Sequence, residues 1–233
     1  MLGDKLTGEI LTDWRTAPIS EKLRAVLGFL VKLTDAPERI GPYDLASLRK
    51  LGVTERAIID ATYICMGFNI INRIADAMDF KLPPAGVFAR GAWSMRKFGY
   101  RMMSGSWPGN NASCIHSNKD VSTLSSQSIM DPYEGMMRRL QNAVFLSPGT
   151  LDSAVRQAAG EGAPMPGALG QYMRKVEQRD YKAIHNCIED LRSECYSDDQ
   201  IFEATVSAAL GAGVKRLQLA LNALRESLAS RAA

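Results

Sequence analysis

Apolar positions along this chain recur at steps of three and four residues, and no segment keeps the strict two-residue alternation of a half-buried strand. Ser20 precedes a run in which Leu23, Leu27, Leu30 and Val31 share one face, which predicts a helix from there to about Leu33. Pro37, Gly41 and Pro42 mark a loop, and a short helix from about Tyr43 to Lys50 stops at Gly52. The longest pattern runs from Thr54 to Phe80: a hydroxyl cap, no proline, one glycine, and an end before Lys81-Leu82-Pro83-Pro84. A further helix is expected over Val87 to about Arg101. Helix resumes at Asp131-Pro132, carries Met136, Met137, Leu140 and Val144, and breaks at Ser147-Pro148-Gly149. Thr150 or Asp152 opens another through about Ala159, and three more follow at about 167–177, 179–193 and 198–229. The fold class is all-α.

Between these patterns, SGSWPGNNASCIHSNKDVSTLSSQS is rich in Ser, Asn and Gly and lacks apolar periodicity, so 104–129 reads as a linker or mobile loop. It separates 1–103 from 130–233, and the two flanks resemble each other. Aligning Arg73 with Arg216 sets a shift of 143 (216 − 73). The same shift places Thr54 on Ser197, Glu55 on Asp198, Asp60 on Glu203, Thr62 on Thr205, Leu48-Arg49 on Leu191-Arg192 and Lys32 on Lys175. Ser197-Asp198-Asp199-Gln200 is a capping box with acids in the first turn, so the second start is well specified. We expect two internal repeats, each a long helix preceded by shorter ones, related by a pseudo-twofold axis. Positions shared by both, such as Asp60 with Glu203 and Arg73 with Arg216, suit an acid–arginine pairing within or across the copies.

Composition narrows the function classes without selecting one. A formal charge of +3 over 233 residues argues against a nucleic-acid or anionic-membrane footprint. No apolar run approaches the ~20 residues of a membrane helix, and Met1–Lys5 does not lead into the apolar core of a signal peptide. Cys65, Cys114, Cys187 and Cys195 form no close CxxC and no metal-ligand spacing, so reduced thiols in the cytoplasm, with no metal and no cofactor, are expected.

Candidate chemistry gathers on the first long helix. At 100° per residue Cys65, Asn69, Asn72 and Asp76 fall on one narrow face, and buried polar groups there need partners. The face does not recur in the second copy, where Ala208, Ala212, Lys215 and Leu219 take these positions.

With those residues set out, AVLGFLVKLTDAPERIGPYDLASLRKLGVTERAIIDATYICMGFNIINRIADAMDF and YMRKVEQRDYKAIHNCIEDLRSECYSDDQIFEATVSAALGAGVKRLQLALNALR resemble the alkylhydroperoxidase D-like and carboxymuconolactone decarboxylase-like superfamily. The first is most similar to its peroxidase-related branch, through Phe68-Asn69-Ile70-Ile71-Asn72-Arg73. The resemblance implies a helical fold, assembly into homo-oligomers, and in peroxidase members a Cys-x-x-Cys followed four residues later by His. Here Asn69 and Asn72 stand at the two cysteine positions and Asp76 at the histidine position. An amide forms neither thiolate nor disulfide, so that dithiol chemistry cannot run through these positions.

Three readings compete. A peroxidase-like oxidoreductase would rest on Cys65 as a single oxidisable thiol, served by a redox partner protein. A non-redox enzyme or small-molecule binder would use Asp76 with Asn69, Asn72 and Arg73 toward a polar substrate, and His116, beside Cys114 in the 104–129 segment, could close over it as part of a lid. A non-catalytic subunit would assemble with a CxxC-bearing partner. None involves nucleic acid or membrane.

Overall fold

A computed structural model of the chain describes residues 4–81, 84, 86–87 and 133–232. Every regular element among the described residues is a helix. The chain parts into two compact units, Met1–Asp79 with Tyr133–Ala233, and Phe80–Pro132. The expected helix at Val87–Arg101, the 104–129 segment, Cys114, His116 and the Asp131-Pro132 start lie wholly or mostly outside the described residues.

In the first unit α1 (Asp4–Asp13), which the apolar pattern did not disclose, precedes α2 (Glu21–Asp35), a 3₁₀ turn (Pro37–Arg39), α3 (Pro42–Lys50) and α4 (Glu55–Ala77). After the second unit come α5 (Glu134–Phe145), α6 (Ser153–Glu161), α7 (Gly167–Gln178), α8 (Tyr181–Ser193) and α9 (Asp198–Ala232). The predicted caps set several starts. Ser20 Oγ accepts from Leu23 N, Thr54 Oγ1 from Ala57 N, and Asp152 Oδ1 from Ala154 N. Ser197 and Gln200 close a reciprocal capping box, side chain to backbone in both directions.

Two apolar clusters form the core, and α4 and α9 pass through both. Phe29, Leu33, Leu45, Leu48, Ile58 and Tyr63 gather around the C-terminal half of α9, from Leu210 to Leu224. Tyr172, Met173, Val176, Ile184 and Leu191 gather around its N-terminal half, Ile201 to Ala209, and around Ala77 at the end of α4. The N-terminal half of α4 therefore meets the C-terminal half of α9, an antiparallel crossing of the two longest helices. Near it, a Cβ on Gly211 would lie 2.0 Å from the Gly160 carbonyl oxygen, so this glycine lets α9 and α6 approach backbone to backbone.

Local geometry matches at positions 143 apart. Gly52 (φ +78) and Cys195 (φ +67) are both left-handed. Val53 N donates to Leu48 O as Tyr196 N does to Leu191 O. Thr62 and Thr205 each return their hydroxyl to the carbonyl four residues back, Ile58 and Ile201. Arg49 meets Glu55 at 3.1 Å, and Arg192 meets Asp198 at 3.1 Å. The expected acid–arginine pairing takes another form. Asp60 engages Arg56 at 2.9 Å and Tyr133 Oη at 2.8 Å, whereas Glu203 accepts from Thr150 N and Leu151 N. Arg73 and Arg216 turn to backbone carbonyls, because they lie more than three turns further along their helices than these acids.

Candidate functional site

Position 65 of α4 faces α2, and the register of α4 buries Cys65 and Asn69 together (7% and 5% exposed). Cys65 Sγ lies 3.4 Å from Thr34 Oγ1 and 3.9 Å from the Leu30 carbonyl oxygen, both on α2. Asn69 Nδ2 turns toward Cys65 Sγ at 3.4 Å, Cys65 O at 3.0 Å and Thr34 Oγ1 at 3.2 Å. Its Oδ1 accepts from Arg73 Nη1 at 2.8 Å, which fixes the orientation of the amide, since a guanidinium can only donate.

Arg73 is 2% exposed and is held by carbonyls. Nη1 also donates to Asn69 O at 2.9 Å, while Nε and Nη2 reach Glu177 O at 3.3 and 3.2 Å. Glu177 sits in the last turn of α7, where helix carbonyls have no partner of their own and the dipole favours a cation. Arg216 does the same in the opposite direction. Its Nε donates to Thr34 O, in the last turn of α2, at 3.2 Å and its Nη1 to Ala212 O at 2.9 Å. Burial pushes Arg73 down to about 10, with the charges of Arg216 and then Arg179 adding to it, and burial also lowers Arg216.

The four-residue face divides in space. Cys65 and Asn69 lie in the α2–α4 seam, Asn72 is exposed, and Asp76 is partly exposed with Arg179 Nη2 3.9 Å away. At 100° per residue Asn72 lies just outside the arc from Cys65 to Asn69, whereas Asp76 lies within it but about two turns beyond Asn69, past the end of α2 at Asp35. Beyond the seam, Ile64, Phe68 and Ile71 form an apolar stripe on α4 that is about 60% exposed (59%, 61% and 61%). The residues 143 further on, Ser207, Gly211 and Val214, are buried on α9.

Chemically, the seam presents one thiol, one hydroxyl and one amide, each with a hydrogen-bonding partner, and two cations engaged with helix ends. Among the described residues, the hydrogen-bonding partners of Cys65 Sγ are Thr34, the Leu30 carbonyl and Asn69, none of them a titrating base. Among the described residues no group of three or more His, Cys, Asp or Glu could hold a metal, and no helix is long and apolar enough to cross a membrane. A cavity of about 550 Å³ opens elsewhere, among Gln141, Asn142, Gln157, Glu177, Lys215 and Gln218. Thr34 and Glu177 were not legible as partners, because both act at helix ends remote in sequence from the long-helix face. Compared with family models, curated proteins and solved structures, the chain matches none of them.

Proposed function

We propose that this chain is an alkylhydroperoxidase D-like protein of the peroxidase-related kind, built from two copies of one helical unit, in which the redox centre of the first copy has become a structural seam. The observation that carries this reading is reciprocal. Arg73 binds the carbonyl of Glu177, Arg216 binds that of Thr34, and both donors and both acceptors are 143 positions apart. A pseudo-twofold axis between the copies accounts for the exchange with a single operation. The matched left-handed residues, threonine back-bonds and Arg49–Glu55 and Arg192–Asp198 pairs support the same operation.

Where the resemblance places a dithiol and a base, this chain has Asn69, Asn72 and Asp76. Asn69 is committed on both ends of its amide, Asn72 is exposed, and Asp76 is partly exposed beside Arg179. Cys65 in turn is nearly closed to solvent and its sulfur meets a hydroxyl, a carbonyl and an amide rather than an ammonium, the setting of an inert thiol rather than an attacking one. The role that fits is a helical subunit whose polar seam fixes α2, α4 and α7 in one arrangement.

Hydroperoxide consumption with dithiothreitol as reductant tests this. The chain and its Cys65→Ser variant are expected to turn over tert-butyl hydroperoxide at the same rate, equal to the reductant-only background. Turnover clearly above background that is lost in Cys65→Ser would overturn the structural reading in favour of a single-thiol peroxidase.

A further inference from the structure

One nucleophilic pair stands apart from this seam. Lys175 Nζ of α7 lies 2.9 Å from Cys187 Sγ of α8, the separation of an N–H···O bond although the acceptor is the larger sulfur. Cys187 is a free thiol, 5% exposed, on the apolar face of α8 with Ile184 and Leu191, while Lys175 is half-buried and reaches it from the solvent side. Positions 32 and 44, each 143 earlier, hold another lysine and its partner. There Lys32 Nζ contacts both carboxylate oxygens of Asp44, at 2.7 and 2.8 Å. A sulfur thus occupies, against an ammonium, the place that a carboxylate occupies elsewhere in the same molecule. The hydrogen bond that Lys175 donates to Cys187 Sγ holds the ammonium above its ordinary value, against the opposing effect of burial.

We propose that Lys175 and Cys187 form an oxidative modification site, at which hydrogen peroxide joins the two side chains covalently. In its thiolate form Cys187 attacks one oxygen of hydrogen peroxide, the O–O bond breaks, and the departing hydroxide takes a proton from the Lys175 ammonium. A sulfenic acid, one water and a neutral amine result. Nζ then displaces the sulfenic oxygen as a second water, forming an S–N bond. Thiolate, ammonium and one hydrogen peroxide give a sulfenamide and two waters. The thiol is oxidised by two electrons and the peroxide reduced by two. The short N···S separation lets the amine reach sulfur before a second peroxide or an external thiol does. The bond would tie α7 to α8 and return to the free pair on reduction by a thiol.

The test uses the full chain, reduced, treated with hydrogen peroxide, alkylated, and digested with trypsin without reductant. Mass spectrometry is expected to find the Lys175 and Cys187 peptides joined and two hydrogens lighter than their sum, and separated again by dithiothreitol. A joined pair that keeps one oxygen between nitrogen and sulfur consumes a second peroxide and equally supports the cross-link. Lys175→Gln and Cys187→Asp, the latter restoring the lysine–carboxylate arrangement of Lys32 and Asp44, are each expected to abolish the joined species. Recovery of Cys187 fully alkylated while the exposed Cys195 is consumed would overturn the proposal. So would Cys187 found as a sulfinic acid with trypsin still cutting after Lys175.

Discussion

Glu203 illustrates how a single carboxylate on a long helix organises a distant turn. Burial opposes its ionisation, but the backbone N–H groups of Thr150 and Leu151, the Thr150 hydroxyl and the Arg156 charge outweigh that and lower its pKa. Both oxygens are used, Oε1 at 2.8 Å from Thr150 N and Oε2 at 2.8 Å from Leu151 N. A Cβ on Gly149 would lie 2.6 Å from the carboxylate, so a side chain there would push Glu203 off the N–H groups it accepts from. Glu203→Gln keeps the shape but turns an amide N–H toward a backbone donor, and should cost about 2 kcal/mol at pH 7 in a urea titration. Because the folded-state pKa is depressed, the stabilisation is complete above the ordinary glutamate range near 4.5 and is lost as pH falls through the folded value. The gap between wild type and variant should therefore close below about pH 4.5. A gap that stays constant well below that range would show that ionisation plays no part.

At the scale of elements, two glycines in long helices test what the packing requires. At Gly211 an added Cβ meets the Gly160 carbonyl carbon and oxygen at 2.6 and 2.0 Å, atoms that move only if α6 and α9 separate. Gly211→Ala should destabilise by roughly 1–3 kcal/mol. At Gly67, in the middle of α4, the same atom meets nothing within 4 Å, so Gly67→Ala should stabilise by roughly 0.5–1 kcal/mol through helix propensity alone. Thermal melts of the two variants should shift in opposite directions, and shifts of the same sign would mean that the crossing is not where the close approach places it. This contrast was not legible in the sequence. Both glycines sit in periodic apolar runs, and only the partner helix distinguishes them. What was legible were the features set within one turn, namely the Ser20 and Thr54 caps, Asp152 as one of the two starts offered with Thr150, the Ser197–Gln200 box and the stop before Gly52. Burial of Cys65 with Asn69 followed from spacing, while the outward turn of Asn72 depended on the width of the strip that α2 covers. The unforeseen α1 is similar. Asp4–Asp13 packs too little apolar surface to announce itself in the pattern, and its helix emerged only in three dimensions.

For the whole molecule, the two arginines decide whether its two apolar clusters behave as one. Each guanidinium leaves its own helix to satisfy a helix end on the other side, Arg73 at Glu177 and Arg216 at Thr34. Removing either exposes a buried carbonyl to an apolar surrounding, and Arg73→Met, which also strands Asn69 Oδ1, should cost about 3 kcal/mol. The two charges also oppose each other, since Arg216 is the second cause, after burial, that lowers Arg73. Either single variant relieves this repulsion and their sum counts the relief twice, so Arg73→Met combined with Arg216→Met should cost more than the sum of the single variants by about 0.5 kcal/mol or more. Because α4 and α9 run through both clusters, wild type and both single variants should unfold in one transition by circular dichroism, with amide hydrogen-exchange protection lost together in both clusters. Additive costs would mean that the guanidiniums act independently, and two separable transitions would mean that the crossing helices do not couple the clusters. The second result would remove the reciprocal exchange as a bond between halves, and with it the strongest physical support for reading the chain as one helical unit used twice.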